Sequence, residues 1–444
     1  LGKQVGHLLG HGVRDVHGAT LYHLTVVCLY TGIPRTASPY VMRMREARDG
    51  STLDAGEAPS EKERATVSAT TSNRVVVVGS SFAGLTAALD LRKRLPASDE
   101  IVVLDPRDHF TFIPSLIWLP FGMRQPKDVT FKLEPMYAKQ GIRFVNAAAT
   151  AIDLQARTVT TSTGDALTYD RLFLGTGPRL AFEKVPGLGP EGGHTQSVCN
   201  LDHALLARDA WDRFLERPGP VVVGTAQGGS CFGASYEFLL NLRHRIKKAG
   251  LDHVAPVTFV TAEPYIGHFG LGGVGNSGER LEALLAKQGI EALPNTVITE
   301  VREGEMELES GRVLPFAYAM IVPPFTGVDV VRETDGLANP MGFIPVTDEY
   351  RHPEHPEVFA AGVDIAIPPP GETPVPAGVP KTGQMSEAMA KVAARNIAAD
   401  LGHGEHQRMT LSDLQAICIL DAGNGGVIFK ADNVLSEDAT ARVF

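Results

Sequence analysis

Arg74-Val75-Val76-Val77-Val78-Gly79-Ser80-Ser81-Phe82-Ala83-Gly84-Leu85 decides the fold. Four consecutive valines suit a short strand buried on both faces of a parallel sheet. The segment from Gly79 to Gly84 is a glycine-bounded turn, and Leu85 to Leu95 carries helical spacing. Glu100 to Leu104 is the next apolar strand and ends on Asp105. Together they read as one βαβ unit whose turn approximates G-x-G-x-x-G, with Ser81 at the second glycine. Gly79 allows the tight turn, and Gly84 lets helix and strand approach closely. Ser81, Phe82 and Ala83 lie where a dinucleotide's pyrophosphate would pass. Ser81 crowds that approach, yet its hydroxyl can hydrogen-bond a phosphate. Asp105 is placed for a ribose hydroxyl.

A second unit of the same kind begins at Pro220. Val221-Val222-Val223 is its strand and Gly224-Thr225-Ala226-Gln227-Gly228-Gly229 its turn. A helix is expected from about Ser230 to Lys248, then a strand from Val257 to Thr261 closed by Glu263. The expected class is therefore α/β, with two Rossmann-like dinucleotide-binding domains and a C-terminal segment. Short alternating strands are expected at Thr158–Thr161 and Met306–Glu309. A helix is expected over Lys381–Leu401, with Met385, Met389, Val392, Ala393 and Ile397 on one face. The anticipated division is 1–72 as a disordered extension, 73–190 and 336–402 as the two parts of the first domain, 191–335 as the second domain, and 403–444 as the C-terminal segment.

Composition narrows the function classes. The chain has 444 residues, too many for one usual core. Its formal net charge of −10 is a poor match for nucleic acid, and no basic stripe is present. Its four cysteines, Cys28, Cys199, Cys231 and Cys418, are widely separated, so no zinc spacing and no metal site is expected. No segment has the roughly 18–20 apolar residues that span a bilayer. Residues 42–73 are charged, rich in Ser and Thr, and poor in large apolar side chains.

Two further segments strengthen the first site. Leu172-Phe173-Leu174-Gly175-Thr176-Gly177-Pro178 resembles the strand and glycines that disulfide-reductase-type flavoproteins lay over FAD. Val358-Phe359-Ala360-Ala361-Gly362-Val363-Asp364 resembles their second FAD signature, with Val363 inserted before the acid. The resemblance implies bound FAD, held by Gly79, Ser81, Phe82, Ala83, Gly84, Asp105, Thr176, Gly177, Gly362 and Asp364, with Lys381 near the flavin.

The cysteine segments resemble one family closely. Gly228-Gly229-Ser230-Cys231-Phe232-Gly233-Ala234-Ser235-Tyr236-Glu237-Phe238 resembles the redox-cysteine segment of sulfide:quinone oxidoreductases. Ser197-Val198-Cys199-Asn200 resembles the segment of their third cysteine, and Ala416-Ile417-Cys418-Ile419-Leu420-Asp421 that of their second redox cysteine. Glu263-Pro264-Tyr265-Ile266-Gly267-His268 and Gly378-Val379-Pro380-Lys381-Thr382-Gly383 fit the same family. The resemblance extends over about Arg74 to Phe429. The flavoprotein of flavocytochrome c sulfide dehydrogenase shares the plan.

The resemblance implies oxidation of hydrogen sulfide to polysulfide or sulfur, with ubiquinone or menaquinone as acceptor. Sulfide would attack a bridge between Cys231 and Cys418, with Cys199 in support. Glu237, His203 and His268 are candidate proton handlers, and Lys381 is placed to stabilise charge on the reduced flavin. A helix N-terminus gives Cys231 a reason for a lowered pKa. The implied place of work is a peripheral membrane surface of unspecified face, with a homo-oligomer compatible. Family members continue past the second redox cysteine into amphipathic helices. This sequence stops at Phe444, and Gln384 stands where an aromatic is frequent. A weak membrane contact is therefore expected, with Ile113, Pro114, Ile419 and Phe429 building part of the quinone pocket. Two alternatives stay open: a type II NADH:quinone dehydrogenase, which needs a working second nucleotide turn, and a non-catalytic flavoprotein.

Overall fold

The computed structural model describes residues 72–433, 435 and 440–443. Cys28 and the extension as far as residue 71 lie outside the described residues, as do the side chains of 417–419. Along the chain, the elements that matter for the site begin with β1 (Arg74–Val78), α1 (Phe82–Arg94), β2 (Glu100–Leu104), β3 (Arg143–Val145) and β4 (Arg171–Leu174). Next come α2 (Leu201–Glu216), β5 (Val221–Thr225), α3 (Phe232–Lys248), β6 (Val257–Thr261), α4 (Ser277–Gln288), β7 (Ile290–Leu293) and β8 (Tyr318–Val322). The last are β9 (Val358–Ala360), α5 (Gly383–Asp400), β10 (Ala416–Asp421), β11 (Gly426–Asp432) and β12 (Thr440–Val443).

The first sheet has the order β9-β4-β1-β2-β3, all parallel. Val75, Val76 and Val77 are fully buried at its centre, as expected of a strand covered on both faces. β9 pairs with β4 from Val358 opposite Leu172 to Ala360 opposite Leu174. That pairing brings the late Gly362–Asp364 segment beside the early Gly175–Gly177 segment. α5 packs directly on α1, and Met385, Met389, Val392, Ala393 and Ile397 are all buried. The second sheet is β7-β6-β5-β8, also parallel. Two parallel sheets, each begun by a strand–glycine turn–helix unit, form the α/β architecture read from the sequence.

Boundaries moved by one to three residues where caps decide them. α3 starts at Phe232 because Cys231 is its N-cap, and α5 starts at Gly383 because the Thr382 side chain accepts the Met385 amide. The C-terminal segment is an antiparallel sheet, β10-β11-β12. β11 runs to Asp432 and β12 covers Thr440–Val443. β10 packs against α3. Among the described residues, no helix is long and apolar enough to cross a membrane.

Candidate active site

The first turn is tightly closed by backbone. Gly79 has φ +96°, and a Cβ there would lie 2.2 Å from the Gly175 carbonyl oxygen. A Cβ on Gly84 would lie 1.9 Å from the Gly79 carbonyl oxygen. Only glycine allows these contacts, so the turn and the Gly175–Gly177 segment form one cradle. Gly177 has φ +72° and faces open space, with nothing within 4 Å of a Cβ. α1 begins at Ser81 with no side-chain cap and no acid in its first turn. Its amide groups and dipole therefore favour an anionic group.

Acids flank this cradle at both ends. Asp105 is buried, and its Oδ2 accepts the Ser80 amide at 2.7 Å. Arg107 donates to Asp105 through its amide and guanidinium at 2.9–3.0 Å. Ser80 Oγ and the buried Tyr137 hydroxyl share a hydrogen bond of 2.6 Å. Ser80, Arg107 and Tyr137 escaped sequence reading because these contacts depend on the tertiary fold. At the other end Asp364 is fully buried. Its Oδ2 accepts the Thr176 amide at 2.9 Å and the Thr176 hydroxyl at 3.2 Å. Its Oδ1 is buried without a partner. Burial pushes its carboxyl up to about 7, against the pull of Thr176 and Lys381. The residue inserted at Val363 has not displaced Asp364 from the cradle, since Gly362 turns the chain with φ +98°.

Lys381 sits half-buried next to that acid. Its Nζ donates to the Ile365 carbonyl at 3.1 Å and lies 4.7 Å from the centre of the Phe343 ring. Burial pulls it down to about 8, with Asp364 opposing. A glycine-closed cradle, an uncapped helix start and an unpartnered buried acid oxygen suit a dinucleotide with phosphate and hydroxyl groups. FAD fits these residues.

The second turn is different, because the chain itself fills it. The Gly228 amide donates to the Pro376 carbonyl at 2.6 Å, and the Gly378 amide to the Gly229 carbonyl at 2.9 Å. The Gln227 amide group is bonded at both ends to the Ile298 backbone. Glu263, at the position of a ribose-binding acid, is fully buried. Its oxygens accept the Phe269 amide at 2.6 Å, the Tyr236 hydroxyl at 2.8 Å and the Thr261 hydroxyl at 2.9 Å. Burial pushes its carboxyl up to about 7. The Gly228 amide, the Gln227 side chain and the Glu263 carboxylate, groups with which such a turn would hold a nicotinamide dinucleotide, are thus bonded within the chain.

Thiols gather at that turn instead. Cys231 caps α3, and Cys199 lies close enough that its thiol interacts electrostatically with that of Cys231. Both are half-buried free cysteines. Burial pushes the Cys199 thiol up to about 12 despite a hydrogen bond from Ser197. The expected lowering at Cys231 is overturned: burial raises its thiol, the Ala234 amide opposes, and Glu237 adds to the rise. The physical reason is one of magnitude. A helix terminus is worth about 0.3–1 kcal/mol, whereas full burial shifts a group by up to about 3–5 pKa units. Cys418 lies on β10, its backbone paired with Phe429, and the placement of its side chain lies outside the described residues.

The proton-handling candidates divide into two settings. Glu237 is held within α3's packing, where its Oε1 accepts the Asp421 amide at 3.2 Å. Burial pushes it up to about 8, with Asp421's amide opposing and its charge adding. Its charge is also felt at the Cys231 thiol. His203 is buried at the start of α2, with Nδ1 unpartnered and Nε2 3.7 Å from Glu191. Burial lowers its pKa, against Glu191 and Asp202. His268 accepts the Gly270 amide on Nδ1 at 3.1 Å and is likewise lowered by burial. It lines a cleft of about 270 Å³ with Tyr265, Gly272, Glu372 and Thr373. Of the quinone-pocket candidates, Pro114 is exposed, Ile113 is half-buried and Phe429 is buried against Phe269. Among the described residues no cluster of His, Cys, Asp and Glu could hold a metal ion.

Comparison with known proteins adds four findings. Residues 73–390 match the family model described as pyridine nucleotide-disulphide oxidoreductase. The sulfide-quinone reductase of Aquifex aeolicus is 37% identical over 369 residues, covering 81% of this chain and 84% of that protein. The solved structure of the Aquifex aeolicus sulfide:quinone oxidoreductase superposes with a TM-score of 0.78 at 36% identity, covering 84% of this chain and 87% of that one. An NADH dehydrogenase-like protein of Mycobacterium tuberculosis is 27% identical over 380 residues, 83% of this chain and 91% of that protein.

Proposed function

The chain belongs to the pyridine nucleotide-disulphide oxidoreductase family and falls with the sulfide-quinone reductases, and from that premise we propose that it oxidises hydrogen sulfide and delivers the electrons to quinone. The cofactor is FAD. The observation that carries this reading over an NADH-driven one is the second turn. Its amides are engaged by Pro376 and by its own backbone, its acid Glu263 is consumed, and the helix that follows begins on a thiol.

The placement of the residues supports the following roles. Gly79, Ser81, Phe82, Ala83, Gly84, Thr176, Gly177 and Gly362 hold the dinucleotide, Asp105 anchors the turn, and Asp364 Oδ1 accepts a hydroxyl. FAD, when bound, supplies a two-electron carrier between sulfur and quinone. Hydrosulfide attacks a Cys231–Cys418 bridge, so that one S–S bond breaks and another forms. One cysteine becomes a persulfide and the other leaves as a thiolate. Attack of a second hydrosulfide on the persulfide sulfur releases a disulfane, the first polysulfide, and leaves both cysteines reduced; the pair returns to its bridge by giving up two electrons through the bound FAD to quinone. Glu237, neutral up to about pH 8, gives a proton near Cys231 and takes it back. Lys381 places positive charge beside Asp364 at the FAD cradle. Cys199 supports the pair, and His203 and His268 serve as proton relays at the edges. Two sulfides joined as disulfane release two electrons and reduce one quinone to quinol.

The proposed domain division places FAD binding in 73–190 and 336–402, the second Rossmann-like domain in 191–335 and the redox-cysteine segment in 403–444. The pairing of β9 with β4 supports the split first domain. The proposed place of work is a peripheral membrane surface, where a long-tailed quinone resides. The test is stoichiometric: purified protein with FAD should form one quinol for every two sulfides consumed while disulfane is the product, rising towards one for one as the sulfur chain lengthens, and quinol formation driven equally well by NADH would reject the assignment.

A further inference from the structure

Two elements carrying the proposed redox cysteines meet at a residue with no assigned role, Asp421. α3 begins on Cys231 and presents Glu237 and Asn241, one helical turn apart, to the end of β10. Glu237 Oε1 accepts the Asp421 amide at 3.2 Å, and Asn241 Nδ2 donates to the Asp421 carbonyl at 2.8 Å. Both backbone groups of one residue are thus gripped by one helix face. Asn241 is fully buried, so its contact is shielded from water. The same face continues to His244, whose ring lies 2.5 Å from where a Cβ on Gly423 would stand. Only glycine lets the β10–β11 turn press against the helix there.

The Asp421 carboxylate is engaged on both oxygens. Oδ2 accepts the Trp118 indole N–H at 3.2 Å, and Oδ1 accepts the Gly423 amide at 2.8 Å. Trp118 closes the 3₁₀ helix Ile113–Trp118, on the side where the quinone pocket was sought. That helix also packs on α3, and Phe121 just beyond it lies 5.2 Å from the Phe238 ring. One residue therefore joins three pieces of chain: the Cys231 helix, the Cys418 strand and the Trp118 segment. Cys418 lies about 10 Å back along β10 from this junction, at about 3.3 Å per residue. Cys231 lies about 9 Å back along α3, at about 1.5 Å per residue. Each cysteine's backbone is thus referred to one common fixed point.

The geometry points to Asp421 as a positioning residue that, with Trp118, holds the Cys418 strand in register against the Cys231 helix so that the two sulfurs can exchange a bond. This rests on the cysteine-pair reading above. Misplacement by about 1 Å through a change remote from the chemistry can cost roughly 10²-fold in rate.

The test uses the full chain with FAD bound and three variants: Asp421→Ala, Asp421→Asn and Trp118→Phe. The first readout is the Cys231–Cys418 thiol–disulfide equilibrium against glutathione, in which two thiols become one disulfide as glutathione disulfide becomes two glutathione thiols. Asp421→Ala and Trp118→Phe should each lower the effective concentration of the pair roughly tenfold or more. Asp421→Asn keeps one oxygen acceptor, for the indole, but sets an NH2 against the Gly423 amide, so it should fall between wild type and Asp421→Ala. The second readout is the rate of anaerobic flavin reduction by sulfide, which should fall roughly 10²-fold in the first two variants. Flavin content and reduction by dithionite should be unchanged, showing intact folding. An Asp421→Ala protein with wild-type bridge stability and rate would overturn the positioning role. An Asp421→Asn protein as impaired as Asp421→Ala would overturn the hydrogen-bond basis. A wild-type protein that forms no Cys231–Cys418 bridge would instead overturn the pair itself, and the positioning role with it.

Discussion

Replacing Gly79 by alanine tests how far the FAD cradle depends on backbone contact. The added Cβ would stand 2.2 Å from the Gly175 carbonyl oxygen, 2.6 Å from its carbon and 3.0 Å from the Thr176 Cα. All three are backbone atoms of the segment that carries Gly177, so no side chain can swing aside. The turn and that segment must part by about 1 Å to restore ordinary contact, since carbon and its neighbours pack at about 3.5–4.0 Å. The φ of +96° adds a left-handed penalty of roughly 1–2 kcal/mol. Overpacking adds roughly 1–3 kcal/mol. The sum, roughly 2–5 kcal/mol, is a large share of the roughly 5–15 kcal/mol that holds a domain folded. Gly177→Ala is the control, because it has φ +72° but nothing within 4 Å of the new Cβ. In the FAD-free protein it should show the backbone penalty alone. Urea midpoints and the fluorescence of released flavin report both effects. Equal urea midpoints of the two FAD-free variants would refute the close contact between Gly79 and Gly175.

Other perturbations read the site more locally. Cys231→Ser should leave FAD bound while sulfide no longer bleaches the flavin, measured by anaerobic absorbance; persistent bleaching would remove Cys231 from the mechanism. Asp364 holds its proton in the folded chain up to about pH 7, against an ordinary value of 3.8. Because the folded value is raised, the unfolded chain loses the proton first as pH rises. The stability of the FAD-free protein should therefore fall between about pH 4 and 7, and Asp364→Asn should flatten that slope in urea titrations across the range. Tyr236→Phe removes the hydroxyl that Glu263 accepts and that itself accepts the Gly267 amide. It should cost roughly 1–3 kcal/mol in denaturant titration without conferring flavin reduction by NADH.

The parts of the fold that depend on local pattern were legible in the chain. Val75–Val78 announced a doubly covered strand because four valines have no polar face to offer water. Gly79 and Gly84 announced the turn because only glycine admits their contacts. The Thr176–Asp364 pairing was half legible: both segments were read, but their meeting depends on β9 lying in register with β4. What the sequence concealed was long-range closure. Nothing local in Pro376 or Gln227 tells that they fill the second turn, and Glu263 looked available until its three donors were seen. Trp118 and Asp421 likewise carry no motif. The Cys231 thiol was misjudged because a helix start can be read from sequence, whereas the burial that outweighs it cannot.

The central claim is that electrons enter from sulfide through a thiol-bearing turn that cannot take a nicotinamide. An anaerobic titration of the FAD-loaded protein tests it most directly, following flavin absorbance while sulfide or NADH is added to separate samples. Sulfide should bleach the flavin within a catalytic time and restore it on addition of quinone, while NADH in large excess should leave the spectrum unchanged. Bleaching by NADH with no response to sulfide would contradict the account.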